Sequence, residues 1–322
     1  MPSTAVVKKV EQPCPLCGIG SSMAMGRGPD FEFATSVDEW TFKRCAPCDV
    51  VYLDPRPELS ELSKIYPYDY YAYTFQEHEA SLVLRVKSWL NRIRARRYLQ
   101  LVHGLSGLIL DIGCGDGHLL GLIEQEGVPA TRLIGLDFNE RAAQAVRARG
   151  YRTFERPIEE LEEAPGSYAL IIMNQVIEHL VDPRAVIRRC AEWLEPGGCL
   201  ILETPNTDSL DFRLFSKRYW GGYHIPRHWV LFNPDSLGRL AQECGLEVAQ
   251  VASLPSPFAW VWSFHHWLSE HGAPRWVVDR FHWQNSALLG VFTAWDLIRM
   301  PVARTSNMRV VARKPAATDM RA

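Results

Sequence analysis

A chain of 322 residues is long enough for one catalytic domain with smaller attachments. Hydrophobic residues make up 47% and charged residues 22%, which excludes a disordered or fibrous protein. The formal charge of −2 leaves no general positive field, so we expect no nucleic-acid partner. The sequence has no signal-peptide pattern and no run of about 18 apolar residues, from which we predict a cytoplasmic protein.

Residues 1–55 are predicted to form a small zinc-binding module. Cys14-Pro-Leu-Cys17 and Cys45-Ala-Pro-Cys48, separated by 27 residues, provide two knuckles that can close a tetrahedral four-thiolate site. A segment this poor in apolar residues needs the metal to fold, and four thiolates leave no open position on it. We therefore expect a structural zinc ion; the alternative is four unrelated reduced thiols.

Residues 56–105 are predicted to connect this module to a larger domain. The segment 66–73 is rich in tyrosine, and apolar residues between Ser81 and Leu101 recur at helical spacing among several arginines. These features favour interdomain packing and a solvated basic helix face. The alternative is direct contact with a phosphorylated or carrier-linked substrate, because guanidinium groups pair well with phosphate.

Residues 106–253 alternate between short apolar runs and helical segments. The runs LILDIG, RLIGLD, YRTF, YALIIMN, CLILET and LEVAQVAS are predicted strands, and SNMRVVARK in the final segment 304–322 is a predicted seventh. Strands separated by helices of this size indicate parallel strands joined by right-handed crossovers. We therefore predict an α/β fold with a doubly wound, mostly parallel, seven-stranded sheet.

Residues 254–303 interrupt this alternation and are rich in aromatic side chains. Eight of the eleven tryptophans lie at or beyond Trp220. We predict a helical cap that packs over the carboxyl edge of the sheet and lines the substrate pocket. The alternative is a segment that makes peripheral contact with a membrane surface.

The segment Asp111-Ile-Gly113-Cys-Gly115-Asp-Gly117 follows a predicted strand and opens a predicted helix, so its glycines let backbone N–H groups approach a ligand. The spacing G-x-G-x-G and the carboxylate of Asp111 favour S-adenosylmethionine over a dinucleotide. An acid at that position can meet an ammonium group but would repel a pyrophosphate. The next strand ends in Asp137, which is placed to accept ribose hydroxyls, and Phe138 can pack on adenine.

The series DIGCGDG, GLDFN, NQVIEHL, LEPGG and LETPN resembles the signature motifs of class I S-adenosylmethionine-dependent methyltransferases, over roughly residues 80–315. The resemblance implies that the glycine loop wraps the cofactor and Asp137 binds its ribose. It also implies that Asn174 and Gln175, with Val176, line the methionine moiety. In this family the seventh strand runs antiparallel between the fifth and the sixth.

The N-terminal module and the segment after it resemble those of bacterial methyltransferases that act on sugars, polysaccharides and natural products. The resemblance implies O-methylation of a hydroxyl on a small-molecule, glycan, lipid-linked or carrier-linked acceptor. Sugar C-methylation is an alternative. A third possibility, from another class, is a non-catalytic zinc-ribbon and methyltransferase-like binding module.

Candidate catalytic residues follow the fourth and fifth predicted strands: Glu178 and His179, then His224 and His228. Methyl transfer to a hydroxyl requires alignment and proton removal, and either later histidine can serve as the base. The segment 175–179 also resembles the Glu-x-x-Glu-His motif of ubiquinone-pathway and small-RNA O-methyltransferases, which implies a second divalent ion, magnesium or manganese. Gln175 replaces the first carboxylate, so a proton-handling cluster or simple packing are the alternatives.

Overall fold

The computed structural model of the chain describes residues 6–66 and 82–316, without the side chains of 82–89. Most of the predicted tyrosine-rich segment, from 67 to 73, therefore lies outside the described residues, as do the side chains of Arg85 and Lys87. Within the described ranges, no helix combines the length and the apolar character needed to cross a membrane.

Thirteen strands are present in the described residues. They are β1 (Lys9–Val10), β2 (Ser22–Pro29), β3 (Glu39–Cys45), β4 (Val51–Leu53), β5 (Arg56–Pro57), β6 (Leu108–Ile112), β7 (Leu133–Asp137), β8 (Arg152–Glu155), β9 (Tyr168–Asn174), β10 (Leu194–Pro205), β11 (Val230–Leu231), β12 (Glu247–Leu254) and β13 (Asn307–Arg313). Six of the seven predicted strands both begin and end within about two residues of the observed ones. The seventh, β10, starts earlier than predicted because its first residue already pairs with β9.

The α-helices of the described residues lie mostly between these strands. They are α1 (Leu62–Ile65), α2 (Leu82–Leu101), α3 (His118–Gln125), α4 (Glu140–Ala148), α5 (Pro183–Trp193), α6 (Leu210–Phe215), α7 (Pro234–Glu243), α8 (Pro257–Glu270), α9 (Arg275–Val278) and α10 (Ser286–Arg299). Side-chain caps start several of them: Asn139 before α4, Asp182 before α5 and Asn233 before α7 each accept a backbone N–H of the first turn.

The main sheet has seven strands in the order β12-β13-β10-β9-β6-β7-β8. Strands β10, β9, β6, β7 and β8 are parallel, and β13 runs antiparallel between β10 and β12. The predicted fold is therefore confirmed, including the position of the reversed strand. Because the parallel strands share one carboxyl edge, the segments that follow β6, β7, β9 and β10 meet there.

A second sheet joins the N-terminal module to the larger domain. Its order is β11-β4-β3-β2, so three strands come from the module and one from residues 230–231, far along the chain. Buried side chains of the module, such as Trp40 and Phe42, belong to the same apolar cluster as those of the main sheet. The module is thus packed as part of a larger core.

A buried ion pair also connects the two parts. The guanidinium of Arg227 donates two hydrogen bonds to the carboxylate of Asp30, at 3.2 and 2.9 Å, and both side chains are fully buried. The charge of Arg227 and its hydrogen bonds outweigh the effect of burial and hold the pKa of Asp30 below its ordinary value. Arginine suits this position because its planar fork matches both carboxylate oxygens.

The basic helix α2 uses its arginines within the molecule. Arg92 and Arg96 pair with Glu126, and Arg94 lies 3.5 Å from the buried carboxylate of Glu203 at the end of β10. The basic face of α2, which was expected to be solvated, is therefore partly used in ion pairs within the molecule. These pairs hold α2 against the catalytic domain.

The predicted cap contains α8, α9 and α10, inserted between β12 and β13. Gly221, in a turn after β10, allows α8 to approach closely: a Cβ there would lie 2.6 Å from the carbonyl oxygen of Ala259. The outer surface of the cap exposes Trp276, Trp295 and Ile298. Membrane contact through 254–303 stays a prediction, and these side chains are where it would occur.

Candidate active site

The glycine loop after β6 has the backbone that a closely bound ligand needs. Gly113, Gly115 and Gly117 have φ values of 71, 53 and 77°, a region that residues with a Cβ rarely adopt. A Cβ at Gly113 would also lie 2.5 Å from Cγ2 of Val176, which follows β9. The loop therefore brings bare backbone to the carboxyl edge, directly before the start of α3.

Asp137 closes β7 beside this loop. Its carboxylate accepts the backbone N–H of Gly115 at 3.1 Å and that of Asn139 at 2.9 Å, so its orientation is fixed. Burial raises the pKa of Asp137, and these N–H donors oppose that change. Phe138 is 55% exposed, with the ring of Tyr66 next to it at 6.3 Å. The pair offers a fixed acid and an open aromatic face.

Asp111, at the end of β6, lies below the loop and is buried. Burial raises its pKa to about 7, although the positive charge of Arg94 opposes this. A buried carboxyl of this kind is ready to pair with a cation that enters the site.

Asn174 and Gln175 end β9 on the same edge. Gln175 is one of the non-glycine residues with positive φ, at 56°, and its amide donates to Oδ1 of Asn307 at 3.1 Å. This hydrogen bond directs the side chain of Gln175 to Asn307 and not to Glu178 and His179. Gln175 therefore does not take the place of the missing carboxylate of the metal motif.

Glu178, His179 and His228 come together just beyond β9. One side-chain nitrogen or oxygen from each lies within 4.8 Å of the others, and Oε1 of Glu178 is 3.8 Å from Nε2 of His228. The second oxygen of Glu178 accepts the hydroxyl of Thr204 at 2.9 Å. Oε1 is buried and has no hydrogen-bond partner among the described residues. An orphaned carboxylate oxygen facing imidazoles is an arrangement that a divalent ion would complete.

Backbone carbonyls set the tautomers of both rings. Nδ1 of His179 lies 2.9 Å from the carbonyl oxygen of Arg227, and Nδ1 of His228 lies 2.8 Å from that of Gly222. The hydroxyl of Tyr66 also lies 3.1 Å from Nδ1 of His179, and a hydroxyl can accept as well as donate. A carbonyl only accepts, so each Nδ1 carries the hydrogen and each neutral ring keeps a lone pair on Nε2. Burial lowers the pKa of His179 to about 3 and that of His228 well below its ordinary value, so both rings are neutral. Burial raises the pKa of Glu178 to about 8.

His224 stands beside this trio. Its ring centroid is 5.0 Å from that of His228, and its Nδ1 lies 2.6 Å from Oε2 of Glu32 in the N-terminal module. All four predicted catalytic side chains thus meet in one cluster, at the edge of the sheet where the cofactor loop lies.

The four predicted zinc ligands also meet. The sulfur atoms of Cys14, Cys17, Cys45 and Cys48 all lie within 4.8 Å of one another. Both knuckles turn in the same way: the N–H of Gly18 donates to the carbonyl of Cys14, and that of Asp49 to the carbonyl of Cys45, each at 2.8 Å. Four converging thiols on two such turns fit a tetrahedral zinc ion.

Sequence reasoning missed Asp30, Glu32, Thr204 and Arg227. Thr204 lies in the motif LETPN, and Arg227 lies between His224 and His228. A polar side chain inside a segment already predicted to be functional is the signal that could have found them. Asp30 and Glu32 lie in a loop of the N-terminal module, where an acidic residue is ordinary.

Comparisons with known proteins identify a matching family and several similar proteins. Residues 84–251 match the family described as methyltransferase domain. A "Ubiquinone biosynthesis O-methyltransferase" of Bordetella avium is 30% identical over 173 residues, which cover 49% of this chain and 70% of the relative. One from Pseudomonas aeruginosa is 32% identical over 167 residues, covering 47% and 69%. The crystal structure of Burkholderia thailandensis 1,6-didemethyltoxoflavin-N1-methyltransferase aligns with a TM-score of 0.48 at 14% identity, over 86% of this chain and 96% of that one.

The family match spans just over half of the chain. It runs from α2 to β12 and so includes the glycine loop and the turn that carries Glu178 and His179. The chain therefore belongs to the methyltransferase-domain family, and it is a Rossmann-like, class I S-adenosylmethionine-dependent methyltransferase.

Proposed function

We propose that this methyltransferase transfers the methyl group to a hydroxyl oxygen of a small or carrier-linked acceptor. The observation that carries the proposal is the cluster of Glu178, His179, His224 and His228 at the cofactor edge of the sheet. A hydroxyl must lose its proton as the new bond forms, and among these imidazoles His224, whose Nδ1 faces the carboxylate of Glu32, can take it. Both relatives are named as O-methyltransferases, which supports oxygen as the acceptor atom.

The proposed cofactor site combines the glycine loop with the ends of β6, β7 and β9. S-adenosylmethionine supplies a methyl group on a positively charged sulfur. Gly113, Gly115 and Gly117 would wrap it, and Asp137 would accept its ribose hydroxyls. Asp111 would face its ammonium group, with Phe138 on the adenine and Asn174 and Gln175 along the methionine chain.

Asp137→Ala should weaken the binding of S-adenosylhomocysteine by about 10²- to 10⁴-fold. Two hydrogen bonds to a charged carboxylate are lost, each contributing roughly 1.5–3 kcal/mol. Isothermal titration calorimetry measures the effect. Asp116→Asn is the matched control, because Asp116 lies in the same loop but pairs with Arg149. Equal affinity in wild type and Asp137→Ala would contradict the assignment.

The trio of Glu178, His179 and His228 is proposed to hold a divalent ion, magnesium or manganese, which would orient the acceptor's oxygen. Dialysis against a chelator should then abolish turnover and either ion should restore it, while the affinity for S-adenosylhomocysteine stays constant. Full turnover in the presence of the chelator would contradict the metal site. The trio would then be interpreted as a proton-handling cluster.

The four cysteines are proposed to hold a structural zinc ion. We expect one zinc per chain by elemental analysis, lost in Cys14→Ser and in Cys45→Ser with unfolding of the N-terminal module, because the metal contributes to its folding free energy. Cys244→Ser, at a buried cysteine far from the knuckles in sequence, should keep the metal. A metal-free protein prepared without chelators would refute the zinc site.

The acceptor is tested by a screen with S-adenosylmethionine labelled on its methyl group. The panel contains a 1,2-dihydroxybenzene, a simple phenol, a nucleotide-linked sugar and an aromatic amine. Label on a hydroxyl of the first or third compound is the expected result, since adjacent hydroxyls can share one divalent ion with the trio. The same screen tests the expectation, based on the N-terminal module, that the acceptor is a sugar, a glycan or a natural product. Label on nitrogen or carbon alone would overturn the proposal.

A further inference from the structure

The loop 30–38 of the N-terminal module, between β2 and β3, reaches the histidine cluster of the catalytic domain. Oε2 of its Glu32 lies 2.6 Å from Nδ1 of His224, and the two side chains are only 3% and 6% exposed. An ionised carboxylate can only accept, so the hydrogen of this bond belongs to Nδ1 of His224. The bond is short because it is charge-assisted and shielded from water.

The backbone on both sides of Glu32 is held firmly. On one side Asp30 is locked to Arg227 by the buried ion pair. On the other, the N–H groups of Phe33 and Thr35 donate to the two oxygens of Asp30, each at 3.1 Å. The Glu32 carboxylate is therefore presented from a fixed turn.

The histidine side of the contact is equally constrained. His224 has φ of 40°, a left-handed conformation that a residue with a Cβ adopts only when its surroundings impose it. The turn 221–223 before it is tied to the cap, because Ser263 of α8 accepts the N–H of Gly221 at 2.8 Å. The rings of Phe33 and His228 lie next to the imidazole, with centroids at 6.1 and 5.0 Å.

We propose that Glu32 is a positioning residue for methyl transfer, holding His224 in the tautomer with hydrogen on Nδ1 so that Nε2 accepts the proton of the acceptor. This inference rests on the proposed function, in which a hydroxyl is methylated. The N-terminal module thereby contributes a residue to the active site.

A lone pair of the acceptor oxygen forms the new O–C bond, and the C–S bond of the cofactor breaks with its electron pair remaining on sulfur. The hydroxyl proton moves to Nε2 of His224. The imidazolium that results is paired with the carboxylate of Glu32, which stays ionised, and the proton later leaves to water. A carboxylate on the far nitrogen both fixes the tautomer and stabilises this cation.

The tautomer can be observed without any acceptor. Full-length, zinc-containing protein labelled with ¹⁵N-histidine is saturated with S-adenosylhomocysteine, and long-range ¹H–¹⁵N spectra are recorded, with His224→Ala identifying the signals. We expect hydrogen on Nδ1 of His224 in the wild type. Glu32→Leu should move the hydrogen to Nε2, because the carboxylate that holds it on Nδ1 is gone. Glu39→Gln, which removes an exposed acid of the same module, should change nothing.

Turnover gives the second measurement, with the first compound methylated in the screen. Glu32→Leu and Glu32→Gln should lower kcat by about 10²- to 10⁴-fold with little change in KM, as loss of base function does. Glu32→Gln keeps the size of the side chain, so it remains informative where Glu32→Leu fails to fold; zinc content and S-adenosylhomocysteine affinity show which has occurred.

Two results would overturn the inference. One is a wild-type His224 that carries its hydrogen on Nε2, or a tautomer unchanged in Glu32→Leu. The other is a Glu32→Gln enzyme with wild-type kcat. If no hydroxyl compound is methylated, the proposed function fails, yet the spectra still decide whether Glu32 positions His224.

Discussion

Asp30→Asn is expected to lower the free energy of unfolding by about 3–5 kcal/mol. The substitution removes the charge that compensates the guanidinium of Arg227, and both side chains are fully buried. Breaking a buried pair on one side is costly because the remaining ion stays out of water without its partner. Denaturant unfolding followed by tryptophan fluorescence measures the loss.

Glu39→Gln is the control for this measurement. It removes an exposed acid that pairs with Arg27 of the same module and with Arg218 of the catalytic domain, and such exposed pairs contribute at most about 1 kcal/mol each. If both variants lost a similar free energy of unfolding, the buried pair would contribute no more to stability than an exposed one.

The same pair predicts a pH dependence. The folded-state pKa of Asp30 lies below the ordinary value of 3.8, so its stabilisation is present above that value and is lost as the pH falls through the folded pKa. Stability should therefore fall less steeply in acid for Asp30→Asn than for the wild type. A parallel decline of both proteins would contradict the assigned direction.

His224→Ala is expected to reduce turnover by about 10²- to 10⁴-fold, the usual contribution of a general base. Cofactor affinity should stay nearly constant, because Asp137 is oriented by the N–H groups of Gly115 and Asn139, whereas His224 is held by Glu32. Initial rates with the first acceptor methylated in the screen, together with calorimetry of S-adenosylhomocysteine, separate the two effects.

His103→Ala is the matched control, since His103 is exposed in the turn after α2. It should turn over as the wild type does. His228→Ala should also be slow, and in that variant added manganese would show whether the remaining pair, Glu178 and His179, still responds to a metal. Unchanged rates in both His224→Ala and His228→Ala would contradict a general base. Catalysis would then be attributed only to the alignment of the acceptor with the methyl group.

Local patterns made most of the catalytic domain predictable. The strands LILDIG and YALIIMN are short apolar runs between helical segments, and the glycine loop between strand and helix has a recognisable spacing. The reversed place of β13 came from the family resemblance, since strand direction leaves no trace in local composition.

The contacts between module and catalytic domain could not be predicted in this way. Glu32 and His224 are 192 residues apart, and Asp30 and Arg227 are 197 apart. No local periodicity signals such pairs. The two-residue strand β11 and the turn 221–223 are also too short to have a pattern, yet they bring His224 and His228 to the cluster.

The position of β11 has a consequence for how the protein folds during synthesis. Val51 and Tyr52 of β4 pair with Leu231 and Val230 of β11. The β4 edge of the module's sheet therefore stays unpaired until β11 has been synthesised. At roughly 5–20 residues per second, the delay is on the order of 10–40 s. Until then a hydrophobic strand edge is open, and nascent chains are expected to be most prone to pairing with each other in this interval.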